Sequence, residues 1–91
     1  MSVRFQLPPV LRHAAGGAQH LDADGASIAA ALGDLARRHP PLRLHLFDEK
    51  GAIRRNIVFL HGGELVRAGE AGTHQLAAND SVILTNALAG G

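Results

Sequence analysis

Apolar and polar residues alternate from Val3 to Leu7, with Val3, Phe5 and Leu7 on one side of the chain and Arg4 and Gln6 on the other. This two-residue period predicts a strand with one buried face. Pro8-Pro9 closes it, because proline donates no hydrogen bond to a ladder. Past a loop carrying Gly16-Gly17, residues 19–23 alternate again, more weakly, and are expected to return beside the first strand as a hairpin. At Ser27 the period changes. Ile28, Ala31, Leu32 and Leu35 recur at helical spacing, Ser27 or Asp24 can cap the start, and Arg37, Arg38 and His39 suit the negative end of the helix dipole. Pro40-Pro41 then predicts the end of the helix.

Residues 42–53 carry a turn signal at Asp48-Glu49-Lys50-Gly51 and are expected to be a loosely structured crossover. Asn56 to Leu60 is rich in β-branched and aromatic residues, His61-Gly62-Gly63 supplies a turn, and Glu64 to Arg67 can fold back as a second hairpin. After further turn chemistry at Gly69 to Gly72 and Asn79-Asp80-Ser81, Val82 to Thr85 reads as a final strand. One helix after an initial hairpin, with later strands returning to the same sheet, predicts an α+β grasp: a mixed sheet of four to five strands packed on one main helix.

Ninety-one residues make one domain, expected over residues 1–87 with a tail at 88–91. The interior must come mainly from Val, Ile, Leu and Ala, because the chain has three Phe and no Tyr or Trp. Nine basic residues face eight acidic ones and form no stripe, so neither nucleic acid nor an anionic membrane is implied. No apolar run is long enough to span a bilayer, and a cytoplasmic protein is expected. With no cysteine, disulfides, thiolate metal sites and Cys nucleophiles are excluded. The six histidines lack an H-x-x-x-H pair and read as surface or turn residues, so no metal is expected. Gly16-Gly17 and Gly62-Gly63 lie outside any phosphate-loop frame, and Ser27 at a helix cap has no nucleophile elbow around it.

The feature these exclusions leave is the end of the sequence, Leu88-Ala89-Gly90-Gly91. At a glycine usage of about 7%, a final pair arises by chance in under ~1% of chains. Its position after a strong strand adds meaning. Glycine removes the Cβ that obstructs close passage, so such an end can thread a narrow channel and present a carboxylate to a buried reaction centre. Extended, residues 87–91 reach roughly 15 Å.

The hairpin, the amphipathic helix, the strand-turn-strand from Asn56 to Arg67, Asn79-Asp80 before the last strand and the final Gly-Gly together resemble the MoaD/ThiS family of ubiquitin-like sulfur carriers over essentially the whole chain. Leu7 to Arg12 followed by Gly16-Gly17, Asn56 to Leu60 continuing to Val66-Arg67, and Asp80-Ser81-Val82 leading to the tail look most like the branch that feeds cysteine synthesis. The resemblance implies a β-grasp protein that is a cosubstrate and not an enzyme. It binds no cofactor, and ATP is used by an activating enzyme resembling the ubiquitin-activating type, an adenylyltransferase that converts the Gly91 carboxyl to an acyl-adenylate. A sulfur donor such as a rhodanese or another sulfurtransferase then displaces AMP, leaving a thiocarboxylate. The acceptor is a synthase resembling cysteine synthase or, alternatively, the molybdopterin synthase large subunit; thiamine synthesis is a further route, and a zinc metalloprotease is a further partner. Leu88, Ala89 and Gly90 insert into these partners. A ubiquitin-like protein modifier and a noncovalent interaction module stay open as other classes.

If Val58, Leu60, Val82 and Leu84 face the helix, then Ile57, Phe59, Ile83 and Thr85 lie on the opposite face as a partner-docking patch near the tail. A one-residue slip exchanges the two sets. Arg54, Arg55 and Arg67 could pair with acidic residues on a partner, but solvation is the commoner explanation for surface arginines.

Overall fold

The computed structural model describes residues 2–86; residues 87–91, including the Leu88 to Gly91 tail and the 87/88 domain boundary expected from sequence, lie outside the described residues. Five strands, β1 (Ser2–Gln6), β2 (His20–Asp24), β3 (Ile57–His61), β4 (Glu64–Arg67) and β5 (Ser81–Asn86), form one sheet in the order β2-β1-β5-β3-β4. β1 pairs parallel to β5 and the other neighbours are antiparallel, so the sheet is mixed. Alternation explains the strands: Val3 and Phe5 of β1, Val82 and Leu84 of β5 and Val66 of β4 are buried while their neighbours in sequence are not.

The main helix, α2 (Ile28–Arg38), covers the sheet with Ile28, Ala31, Leu32 and Leu35. Its start is capped as expected, the Ser27 hydroxyl accepting from Ala30 N–H at 3.1 Å. Asp34 and Arg38 of α2 also fasten the sheet's edge. The Asp34 carboxylate accepts from Asp24 N–H at 2.8 Å, and Arg38 donates to the Asp24 carboxylate at 2.8 Å. Strand edges left bare are templates for unwanted pairing, and side chains from the helix occupy this one. The Asp24 N–H bond, with Arg37 and Arg38 beside it, holds the Asp34 carboxyl below the ordinary aspartate range.

The link from β2 to α2 is unusually tight at Gly25, where a Cβ would lie 2.3 Å from the Ala31 backbone nitrogen. Backbone cannot yield as a flexible side chain does. Gly25→Ala is therefore expected to cost about 1–3 kcal/mol, toward the upper end, by displacing α2 from the β2 edge; urea unfolding monitored by circular dichroism reads the loss.

Two segments are more ordered than the sequence suggests. Pro9–Arg12 forms a short helix, α1, and Pro40–Leu46 forms α3 where an irregular crossover is expected. Pro40-Pro41 does stop α2: His39, before the first proline, has left the helical region at φ −130 and ψ 76. Both prolines then sit in the first turn of α3, where the missing N–H groups have no helical partner to lose. Leu42 and Leu46, four residues apart, bury that helix against the core. The sheet, the grasping helix and this order of strands define the β-grasp expected from the sequence.

Candidate functional site

β5 lies at the sheet's centre, with β1 pairing along Ser81 to Ile83 and β3 along Ile83 to Asn86. The last described residue, Asn86, is opposite Ile57, the first of β3. The sequence continues from there to Gly91, so a central strand flanked on both sides sets the point from which residues 87–91 begin.

The strand pairing corrects the expected docking patch. Ile57 and Phe59 are buried in the core. The register places Phe59 opposite Leu84 and Leu60 opposite Ile83, and directly paired residues share a face. Ile57, Phe59, Val82 and Leu84 therefore face the helix, while Val58, Leu60, Ile83 and Thr85 face outward. The β5 half of the expectation agrees with this arrangement; the β3 half is slipped by one residue. Phe59, the larger side chain, takes the buried face, and a slip of one moves every side chain of a strand to the other side. Leu65 of β4, opposite Leu60, joins the outer set. Ile83 is 39% and Leu65 51% exposed, while Val58, Leu60 and Thr85 are partly so. The outcome is an apolar strip across β4, β3 and β5, edged by Arg67 opposite Val58 and by Gln6 beside Ile83.

At the other end of β3 the structure assembles a group that sequence reading treats as scattered. His61 Nδ1 lies 2.8 Å from His74 Nε2, and His61 Nε2 lies 2.8 Å from Asp80 Oδ2. An ionised carboxylate only accepts, so Nε2 of His61 carries the proton toward Asp80 and, in neutral His61, Nδ1 accepts from His74. Asp80 also accepts from Ala77 N–H at 2.9 Å. That bond first, and His61 second, hold the Asp80 carboxyl below its ordinary 3.8. The two His61 contacts use opposite ring nitrogens, and among the described residues no three His, Cys, Asp or Glu side chains are arranged to hold a metal. The group ties β3 to the segment before β5. Four residues of strand, about 13 Å, separate it from Ile57 and the root of the tail. No local spacing marks it; the β3–β5 register brings it together.

Because the folded state lowers Asp80's affinity for protons, the resulting stabilisation is complete above the ordinary aspartate value and is lost as pH falls below it. Asp80→Asn is expected to flatten the stability profile below about pH 4, read by thermal unfolding across an acid series.

No protein-family model matches the chain. The sulfur carrier protein CysO of Mycobacterium tuberculosis is 29% identical over 93 residues, with all of both chains covered. The crystal structure of that organism's CysO superposes with a TM-score of 0.79 at 26% identity, covering 94% of this chain and 99% of that one. SAMP1 of Haloferax volcanii superposes with a TM-score of 0.81 at 28% identity over the whole of both chains. The fold is that of the ubiquitin-like β-grasp proteins. Within them, the full-length similarity to CysO and the structural match to SAMP1 support a sulfur carrier of the MoaD/ThiS type.

No helix among the described residues is long and apolar enough to cross a membrane.

Proposed function

We propose that the Gly91 carboxylate is the working group of this carrier: an adenylyltransferase activates it with ATP, a sulfur donor converts the acyl-adenylate to a thiocarboxylate with release of AMP, and the thiocarboxylate delivers sulfur to a synthase. The observation that carries the reading is the end-to-end similarity to CysO in a chain whose sequence closes on Gly90-Gly91. The destination we favour is cysteine or another sulfur amino acid, on the strength of the same similarity; molybdopterin and thiamine synthesis use the same tail chemistry. Leu88, Ala89 and Gly90 serve as the inserted segment. A thiocarboxylate is ionised at neutral pH and needs no neighbouring base, so the carrier requires no catalytic side chain of its own.

The outward apolar strip of Leu60, Leu65 and Ile83, with Val58 and Thr85, is our choice of docking face for the activating enzyme and the synthase. Exposed apolar surface of this kind, rimmed by polar residues, suits a protein partner.

Intact-mass measurement of the protein from its native host tests the chemistry. A population heavier by one sulfur-for-oxygen exchange is expected. An unchanged mass after incubation with the cognate adenylyltransferase, ATP and a sulfur donor would count decisively against the thiocarboxylate.

A second reading, transfer of the activated acyl group to lysine as a protein modifier, is favoured by the similarity to SAMP1, a small archaeal modifier protein. Isopeptide-linked adducts in place of a thiocarboxylate would select it. Lys50, the chain's one lysine, lies exposed in the Asp48–Gly51 turn as the sole self-acceptor side chain.

A further inference from the structure

The overall charge is nearly balanced, but its distribution is not. Two segments flank the outgoing end of β5: residues 7–18 follow β1, whose Gln6 lies beside Ile83, and residues 40–56 lead into β3, whose Ile57 lies opposite Asn86. These segments hold Arg12, Arg43, Lys50, Arg54 and Arg55 against the acidic Asp48 and Glu49, while the rest of the chain has four basic residues against six acidic. The Asp48 carboxylate is engaged by the backbone N–H groups of Lys50 and Ala52 at 2.9 and 3.0 Å.

Away from this end the arginines are mostly partnered. Arg4 pairs with Asp22, Arg37 with Asp34, and Arg38 with Asp24 and Asp34. Among the described residues, none of the five cations in these two segments has a carboxylate partner. Two of them are held in place all the same. Arg54 Nε donates to Leu44 O at 2.8 Å and Arg12 Nε donates to Leu7 O at 3.2 Å. Each bond occupies the inner nitrogen and leaves the outer fork of the guanidinium for another acceptor. Ile57 N–H donates to Arg54 O at 3.0 Å, which joins the Arg54-Arg55 turn directly to the strand beside Asn86.

Apolar side chains are interspersed with these charges. Leu44 is 76% exposed on α3 and Val10 66% exposed on α1, the two most exposed large apolar residues among those described. A phosphate backbone has no use for them, whereas protein interfaces combine apolar anchors with arginine.

We propose that this basic, apolar-studded rim around the root of the tail docks against an acidic surface surrounding the opening that receives the tail on its protein partner. The inference rests on the proposed activation of Gly91 and goes beyond it by assigning the partner's charge and a second contact area distinct from the sheet face. Cations within about 8 Å of that opening act inside the screening length at physiological salt. They orient the tail toward the channel before the glycines enter, so their contribution lies in encounter and register.

The test is ATP–pyrophosphate exchange by the adenylyltransferase of the same organism, with this protein as the varied substrate over a range of salt concentrations. Arg54→Gln combined with Arg55→Gln is expected to raise KM about tenfold at low salt, leave kcat unchanged and flatten the salt dependence of kcat/KM. Arg43→Gln with Arg55→Gln changes side chains that make no hydrogen bond among the described residues, so it reads the same effect free of any loss at the Arg54–Leu44 contact. Thr73→Glu with Ala78→Glu alters net charge equally at the other end of the sheet and should leave both quantities near wild type. Wild-type KM and salt dependence in both arginine pairs would overturn the rim while leaving activation intact. Absence of exchange with the wild-type protein would instead remove the carrier reading and the rim with it. Salt-sensitive capture of a polyuridylate oligonucleotide, lost in the arginine pairs, would reassign the surface to nucleic acid.

Discussion

A chain ending at Ala89 is expected to fold with the stability of the full-length protein and to lose activation altogether. Among the described residues the buried core runs from Val3 of β1 to Leu84 of β5 and is assembled from the sheet and its helices. The chemistry, by contrast, is assigned wholly to the last two glycines. Under the proposed function the carboxylate would enter a partner's active site, and a Cβ at either of the last positions would obstruct a channel shaped for backbone alone. Truncation should therefore reduce ATP–pyrophosphate exchange to background while the urea midpoint stays within error of wild type. Retained exchange would exclude Gly91 as the activated residue. A retained biological role without exchange would favour the noncovalent interaction module, for which the tail is incidental.

The second large effect concerns the face of the sheet. Phe59→Ala should cost about 3–5 kcal/mol, the range for removing a buried aromatic ring from a packed interior, because Phe59 lies fully within the core opposite Leu84. Ile83→Ala, on the outward face and 39% exposed, should cost only about 1 kcal/mol in stability, the span of strand propensity, and should weaken partner association. Had the sheet adopted the slipped β3 register expected from sequence, Phe59→Ala would be mild. Urea unfolding of both variants separates the two arrangements directly.

Much of this fold is legible along the chain because its signals are local. The alternation at Val3, Phe5 and Leu7, the helical spacing from Ile28 to Leu35, the Ser27 cap and the Gly62-Gly63 turn each express the geometry of a few neighbouring residues. Pro40-Pro41 shows where local reasoning halts too early. The prolines end one helix, and also suit the first turn of the next, whose existence depends on a surface for Leu42 and Leu46 to cover. The candidate site divides in the same way. Its glycines stand in plain view at the end of the sequence, but the residues around its root come from segments near Arg12 and near Arg54, which the pairing of β5 with β1 and β3 brings to the same end of the sheet.

By itself, then, the sequence determined the grasp topology's components and the diglycine end, since turn chemistry, capping and periodicity are properties of short stretches of chain. Tertiary structure decided which side of β3 is buried, because alternation says that two faces differ without saying which one meets the helix until a neighbouring strand sets the register. It likewise decided that His61, His74 and Asp80 would share hydrogen bonds and that the Arg54-Arg55 turn would join the strand opposite Asn86. Both are encounters between residues distant in sequence, brought together by hydrogen bonding across the sheet.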